Sequence, residues 1–236
     1  PGAATRPARK ASQRLGIPFE RIRLSQGDSD ELLAGGGTGG SRSMMMSGSA
    51  LAHAAEKVVE AGRKIASVAL EAAVADIEFV AGRFRIVGTD RAIGLMELAG
   101  QLRAGMKLPA DVPPTLDVSH VDGAVPSAFP NGCHVAEVEI DPQTGVVDVV
   151  SYASVNDFGT IVNPLLVEGQ VHGGVAQGIG QALLENPVYD VAGQPLAGSF
   201  MDYAVPRAAD IPFVGFASHP VPAHTNILGV KGCGEA

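Results

Sequence analysis

Three short segments hold residue types that could do chemistry. The first is Gly35–Ser43, GGGTGGSRS, with five glycines in nine residues. Its amides and hydroxyls suit an anion, Arg42 adds a bidentate donor for phosphate, and a following helix would add the positive end of its dipole. No Lys follows the glycines, so it is not a nucleoside-triphosphate loop, and the spacing of a dinucleotide-binding turn is absent. A flexible glycine turn is the plainer alternative. The second segment surrounds Gln170, His172, Gln177 and Gln181. A glutamine amide donates and accepts without charge, which matches the edge of a heterocycle. The alternative is tight helix packing with the glutamines in solvent. The third is KGCGEA, where Glu235 follows Gly232, Cys233 and Gly234. A carboxylate on a glycine turn can approach a ligand as a base; the alternative is a surface Glu near a frayed end. The six histidines show no paired spacing for zinc, His53 reads as a structural residue of a helix, and no metal ligand is assigned. No nucleophile elbow of a hydrolase is present.

The elements that must position these segments follow from periodicity. Residues 1–14 read as an atypical or disordered stretch. Ile22 and Leu24 alternate with Arg21 and Arg23, predicting a short strand that ends at Gly27–Asp28. Leu51, Ala55, Val58, Ile65, Val68 and Ala72 recur at helical spacing, predicting one long helix over about 47–73, capped by Ser47 or Ser49. Gly62 should weaken its middle by about 1 kcal/mol. A hairpin turning at Ala81–Gly82 comes next, then a short helix ended by Gly100. Five prolines between 103 and 132 mark a connection. A second hairpin turns at DPQTG, and Val171, Val175, Ile179 and Leu183 mark a helix whose glycines 169, 173, 174, 178 and 180 would favour close approach by a backbone or ligand. The expected fold class is α+β, with helices set against short, mostly antiparallel strands and no regular alternation for a doubly wound sheet.

Composition narrows the function classes. The chain has 236 residues, 46% hydrophobic and 18% charged, which supports a core and excludes general disorder. Its net charge is −8, and positive charge gathers only at Arg6, Arg9, Lys10 and Arg14, so nucleic acid is a poor partner. Two cysteines give neither a disulfide framework nor an iron–sulfur signature. No apolar run reaches membrane-spanning length, and a cytoplasmic location is expected.

Taken together, LGIPFERIRLSQGDSD, GGGTGGSRSM, NGCHVAEVEIDPQTG, VNPLLVEGQVHGGVAQGIGQAL, GSFMDYAVPRA and NILGVKGCGEA occur in one order across residues 15–236. This order resembles the molybdenum-binding large subunit of the xanthine dehydrogenase and aldehyde oxidase family, nearest its bacterial carbon monoxide dehydrogenase branch. The resemblance implies that 15–236 is a fragment of the second molybdopterin-binding domain, with a molybdenum–pterin cofactor in its cytosine dinucleotide form. It implies oxidative hydroxylation of an aldehyde, heteroaromatic or related small molecule. Gly39, Gly40, Ser41, Arg42 and Ser43 would form the cofactor loop, Gln170 would stand beside the pterin, and Glu235 would be the catalytic carboxylate. Implied partners are the remainder of the large subunit, an iron–sulfur subunit and an FAD subunit. The chain departs from the family in showing PGAATRPARK where a Gly-Gln-Gly element is expected, and in stopping soon after the glycine–glutamate turn. Two other functions remain open: a catalytically inactive binding or assembly domain, and an unrelated phosphate-binding module.

Overall fold

The computed structural model describes residues 2–234, with backbone alone for 2–7. The fold is mixed α+β and divides into two compact units, residues 1–126 with 226–228, and 127–225 with 229–236. The division at Pro126 falls inside the proline-bearing stretch, which has no helix or strand between Arg103 and Asn131.

In the first unit, helix α1 (Gly2–Leu15) precedes a single turn of 3₁₀-helix at Phe19–Arg21. The start of the chain is therefore helical where an irregular stretch was expected, and Arg14 Nη1 reaches Glu56 Oε1 at 2.9 Å to tie α1 to the next helix. No strand forms at Ile22–Leu24. Alternation there has no neighbouring strand to complete a ladder, and an unpaired extended segment is not a strand.

Helix α2 (Ser43–Leu70) is one continuous helix despite Gly62. It begins four residues before the expected start. Arg42 holds the N-cap position without a side-chain cap bond, whereas Ser49 is buried inside the helix. Gly62 has a packing reason: a Cβ there would lie 2.2 Å from Phe84 Cζ. Phe84 is fully buried and joins Ile65, Ala66, Leu70, Ile77, Ile93, Leu95 and Leu98 in the core. Gly62→Ala should therefore destabilise the chain by about 1–3 kcal/mol through overpacking, although helix propensity alone predicts a gain of about 1 kcal/mol. A denaturant midpoint above that of the parent would contradict this packing account.

Strands β1 (Ile77–Val80), β2 (Arg83–Ile86) and β3 (Ala92–Gly94) form an antiparallel sheet in that order. The β1–β2 turn has positive φ at both Ala81 (48°) and Gly82 (81°), the twist that a two-residue hairpin needs. Helix α3 (Leu95–Arg103) passes through Gly100 instead of ending there. Its stop is Gly105 at φ 86°, with Met106 N–H on the Gln101 carbonyl and Gly105 N–H on that of Leu102. That pair of bonds is a Schellman cap, which only a residue tolerant of left-handed φ completes cheaply.

In the second unit, β4 (Asn131–Ile140) and β5 (Val147–Asp157) pair antiparallel, with a register shift at Glu137/Val138. Asp141 closes their turn by accepting from Gln143 N and Thr144 Oγ1. Strand β6 (Val214–Ser218) runs parallel to β5. Helix α4 (Pro164–Ile179) starts at Asn163, whose side chain accepts from Leu166 N at 3.3 Å, and Pro164 occupies the first turn where its missing donor costs nothing. Val167, Val171, Val175 and Ile179 are buried with Phe158 and Val214. Leu183, expected on the same face, sits instead in a π-turn (Gly180–Leu184) and is exposed. Among the described residues, no helix is long and apolar enough to cross a membrane.

Candidate functional site

The glycine loop of the first unit ends at the N-terminus of α2. Gly40 and Ser41 have φ of 60° and 52°, so the chain makes a left-handed turn immediately before the helix. Arg42 Nη2 donates to the Gly36 carbonyl at 3.0 Å, and the hydroxyls of Thr38 and Ser43 lie 2.7 Å apart. These contacts close residues 36–43 into a loop. Nothing lies within 4 Å of where a Cβ would stand at Gly35, Gly36, Gly37, Gly39 or Gly40, so one side of the loop opens outward. The first-turn amides of α2 receive no side-chain cap from Arg42, and the dipole makes that end positive. Amides, hydroxyls and one guanidinium together fit an anionic group such as a phosphate.

Gln170 lies in the second unit, exposed on α4 to one side of the buried Val167–Val171–Val175 stripe. Gln177 is seven residues on and shares its face; Gly173 lies between them. A Cβ at Gly169, Gly173 or Gly178 would meet nothing within 4 Å. These glycines are thus not explained by packing within the described chain. His172 has a different role from Gln170. Its Nε2 is 3.2 Å from the Val214 carbonyl, and its ring stands edge-on to Phe213, so it fastens α4 to β6.

Glu235 lies outside the described residues. The segment leading to it, Gly229–Gly234, belongs to the second unit and is tightly held there. Gly159 and Val230 form a bridge, Lys231 N donates to the Phe158 carbonyl at 3.0 Å, and Gly232 N donates to Ala128 at 3.0 Å. Cys233 packs against the core of that unit. A further tie is an ion pair that spacing gave no hint of, since its partners are 74 residues apart: Lys231 Nζ to Asp157 Oδ2 at 2.5 Å. Asp157 Oδ1 accepts from Gly159 N (2.8 Å) and Val221 N (2.9 Å). Burial alone would raise the Asp157 pKa, but these bonds and the Lys231 charge outweigh it and hold it at about 2.

The structure therefore gathers Gly39, Gly40, Ser41, Arg42 and Ser43 in one loop, and places Gln170 on a separate unit from them. The two cysteines, Cys133 and Cys233, are free.

Comparison with known proteins agrees with the order of segments. Residues 1–212 match the family described as the molybdopterin cofactor-binding domain. The chain is 35% identical over 237 residues to the 6-hydroxypseudooxynicotine dehydrogenase complex subunit gamma of Paenarthrobacter nicotinovorans, covering 99% of this chain and 30% of that one. It is 34% identical over 236 residues to the carbon monoxide dehydrogenase large chain of Hydrogenophaga pseudoflava, covering 100% of this chain and 29% of that one. The crystal structure of quinoline 2-oxidoreductase from Pseudomonas putida 86 superposes with a TM-score of 0.86 at 34% identity, over 100% of this chain and 30% of that one. The chain thus spans about 30% of the length of the relatives it matches.

Proposed function

The chain belongs to the molybdopterin cofactor-binding domain family, within the molybdenum-binding large subunits of xanthine oxidase and carbon monoxide dehydrogenase type, and on that premise we propose that it forms part of the cofactor pocket of a molybdenum hydroxylase. The reaction is oxidative hydroxylation of a small organic molecule at an aldehyde or heteroaromatic carbon. The relative named for quinoline favours the heteroaromatic case. The cofactor is the cytosine dinucleotide form, and the electrons leave through an iron–sulfur subunit to an FAD subunit in the cytoplasm.

When bound, the molybdenum–pterin group supplies Lewis acidity and two-electron redox chemistry at the substrate carbon. The residues of this chain do the rest of the work assigned to them. Gly39 and Gly40 let the backbone approach, while Ser41, Arg42 and Ser43 present donors to the anionic part of the cofactor. The Gln170 amide would hold the pterin edge, since it donates and accepts at once. The Glu235 carboxylate accepts the proton of the water that supplies the product oxygen.

One observation carries this reading: the open glycine face of α4 beside Gln170. Each glycine costs an exposed helix about 1 kcal/mol relative to alanine, and no contact within the described chain offsets that cost. The cofactor approaching the backbone would offset it, and cofactor content distinguishes this from packing against another backbone. Gly173→Leu in the intact enzyme should therefore act with opposite signs on two readouts. Apoprotein stability should rise by roughly 0.5–1 kcal/mol. The molybdenum and cytidine content of the purified enzyme should fall severalfold. Full cofactor content in a stably folded Gly173→Leu enzyme would remove the basis for placing the pterin here.

A further inference from the structure

A second group of side chains in the first unit has ligand chemistry that the cofactor reading does not use. His53 and Lys57 are one helical turn apart on α2 and share a face. His120 and Asp122 come from the irregular stretch after α3. Asp122 Oδ1 accepts from His53 Nδ1 at 2.8 Å and from His120 Nε2 at 2.7 Å. The Lys57 ammonium donates to His120 Nδ1 at 2.8 Å, which leaves His120 as the neutral tautomer protonated at Nε2. The two rings stand nearly perpendicular, centroids 5.4 Å apart. One ligand atom from each of His53, His120 and Asp122 lies within 4.8 Å of the others. Asp122 Oδ2 is buried without a hydrogen-bond partner in the described structure. A buried carboxylate with one oxygen in that condition is destabilising, and a cation held by the carboxylate in place of the two imidazole protons on Oδ1 is a natural complement to its charge.

We propose that His53, His120 and Asp122 form a binding site for a divalent transition metal of the zinc class, separate from the molybdenum cofactor. Two imidazoles and one carboxylate are the donor set of open three-ligand zinc sites, whereas calcium and magnesium select oxygen donors alone. Ligand atoms about 2.0–2.1 Å from a tetrahedral ion stand roughly 3.3 Å apart. The Asp122 Oδ1 distances of 2.8 and 2.7 Å must therefore open by about half an ångström, and the two imidazole nitrogens, within 4.8 Å of each other, must settle at the same spacing. The His53 side chain is 38% exposed while His120 and Asp122 are at 17% and 15%, which leaves a solvent path for entry and for a water as fourth ligand. The bound ion would clip the 120–122 stretch to the middle of α2.

Proton placement makes Lys57 a competitor. Metal at His53 Nδ1 moves that ring's proton to Nε2 with no net release. Metal at His120 Nε2 moves its proton to Nδ1, where it meets the Lys57 ammonium, donor against donor. Lys57 must then swing into solvent. A carboxylate at position 57 would instead accept from Nδ1–H, the usual outer partner of a zinc-bound imidazole.

The test is titration of the metal-free full chain with Zn²⁺ against a chromophoric chelator, with Co²⁺ absorption as the report of geometry. The expected result is one saturable site per chain with tetrahedral Co²⁺ bands. His120→Ala and Asp122→Asn should each weaken it by at least about tenfold, and Lys57→Glu should tighten it by roughly tenfold. Position 57 is exposed, so that variant tests the site even where a ligand substitution disturbs folding. No saturable uptake at millimolar zinc would overturn the proposal. So would unchanged affinity in both ligand variants, or no tightening with Lys57→Glu.

Discussion

Glu235→Gln in the intact enzyme should lower kcat by about 10²–10⁴ and leave the molybdenum and pterin content unchanged. Glutamine has the shape of glutamate and keeps a hydrogen-bonding oxygen, so binding contacts persist. It cannot take a proton at physiological pH. The expected loss therefore equals the contribution of a positioned general base, about 3–5 kcal/mol of transition-state stabilisation. KM should change little, because the proton moves only on the way to the transition state. A full cofactor complement with parental kcat would remove Glu235 from the reaction. Backbone bonds from Lys231 and Gly232, and the packing of Cys233, fix the chain up to the residue before the Gly234–Glu235 pair.

The sequence was most legible where local rules suffice. The long α2, the Ala81–Gly82 hairpin and the DPQTG turn follow from period, propensity and turn chemistry confined to a few residues. It misled where a local pattern needed a distant partner. Ile22 and Leu24 alternate like a strand but no neighbour pairs with them, and Gly100 sits inside α3 because the Schellman bonds form one turn later, at Gly105. The cost of Gly62 was visible in the sequence, but its cause, the ring of Phe84, exists only after packing. The same holds for the site residues. Gly39–Ser43 and Gln170 stood out by residue type, while Asp157–Lys231 and the meeting of His53 with His120 and Asp122 join residues 74 and about 70 positions apart. No spacing rule reaches that far. Glu235 was raised by its glycine neighbours, but a single carboxylate near a chain end is a common surface residue, and only the family resemblance set it apart.

Lys231→Met should produce the largest structural loss among these variants, about 3 kcal/mol or more. Lys231 and Asp157 are both largely removed from solvent, with side chains 12% and 14% exposed. Methionine keeps the aliphatic stem but leaves the Asp157 carboxylate charged and short of its cation. Deleting one member of such a pair costs more than the pair contributes, because the survivor is still desolvated. Asp157→Asn combined with Lys231→Met should therefore be more stable than Lys231→Met alone. The acid response separates this from a simple packing defect. Asp157 is depressed from 3.8 to about 2 in the folded chain. Its stabilisation is complete above pH ~4, and is lost as the pH falls from there through about 2. In Lys231→Met the Asp157 pKa rises, so the gap between the variant and its parent should be widest near neutral pH and should shrink below pH ~4. Urea unfolding of both proteins at pH 7 and pH 3 measures this directly. A constant difference at both values would assign the loss to packing of the lysine stem, and a difference under about 0.5 kcal/mol at pH 7 would show that the backbone bonds of Lys231 and Gly232 hold the glycine turn without the ion pair.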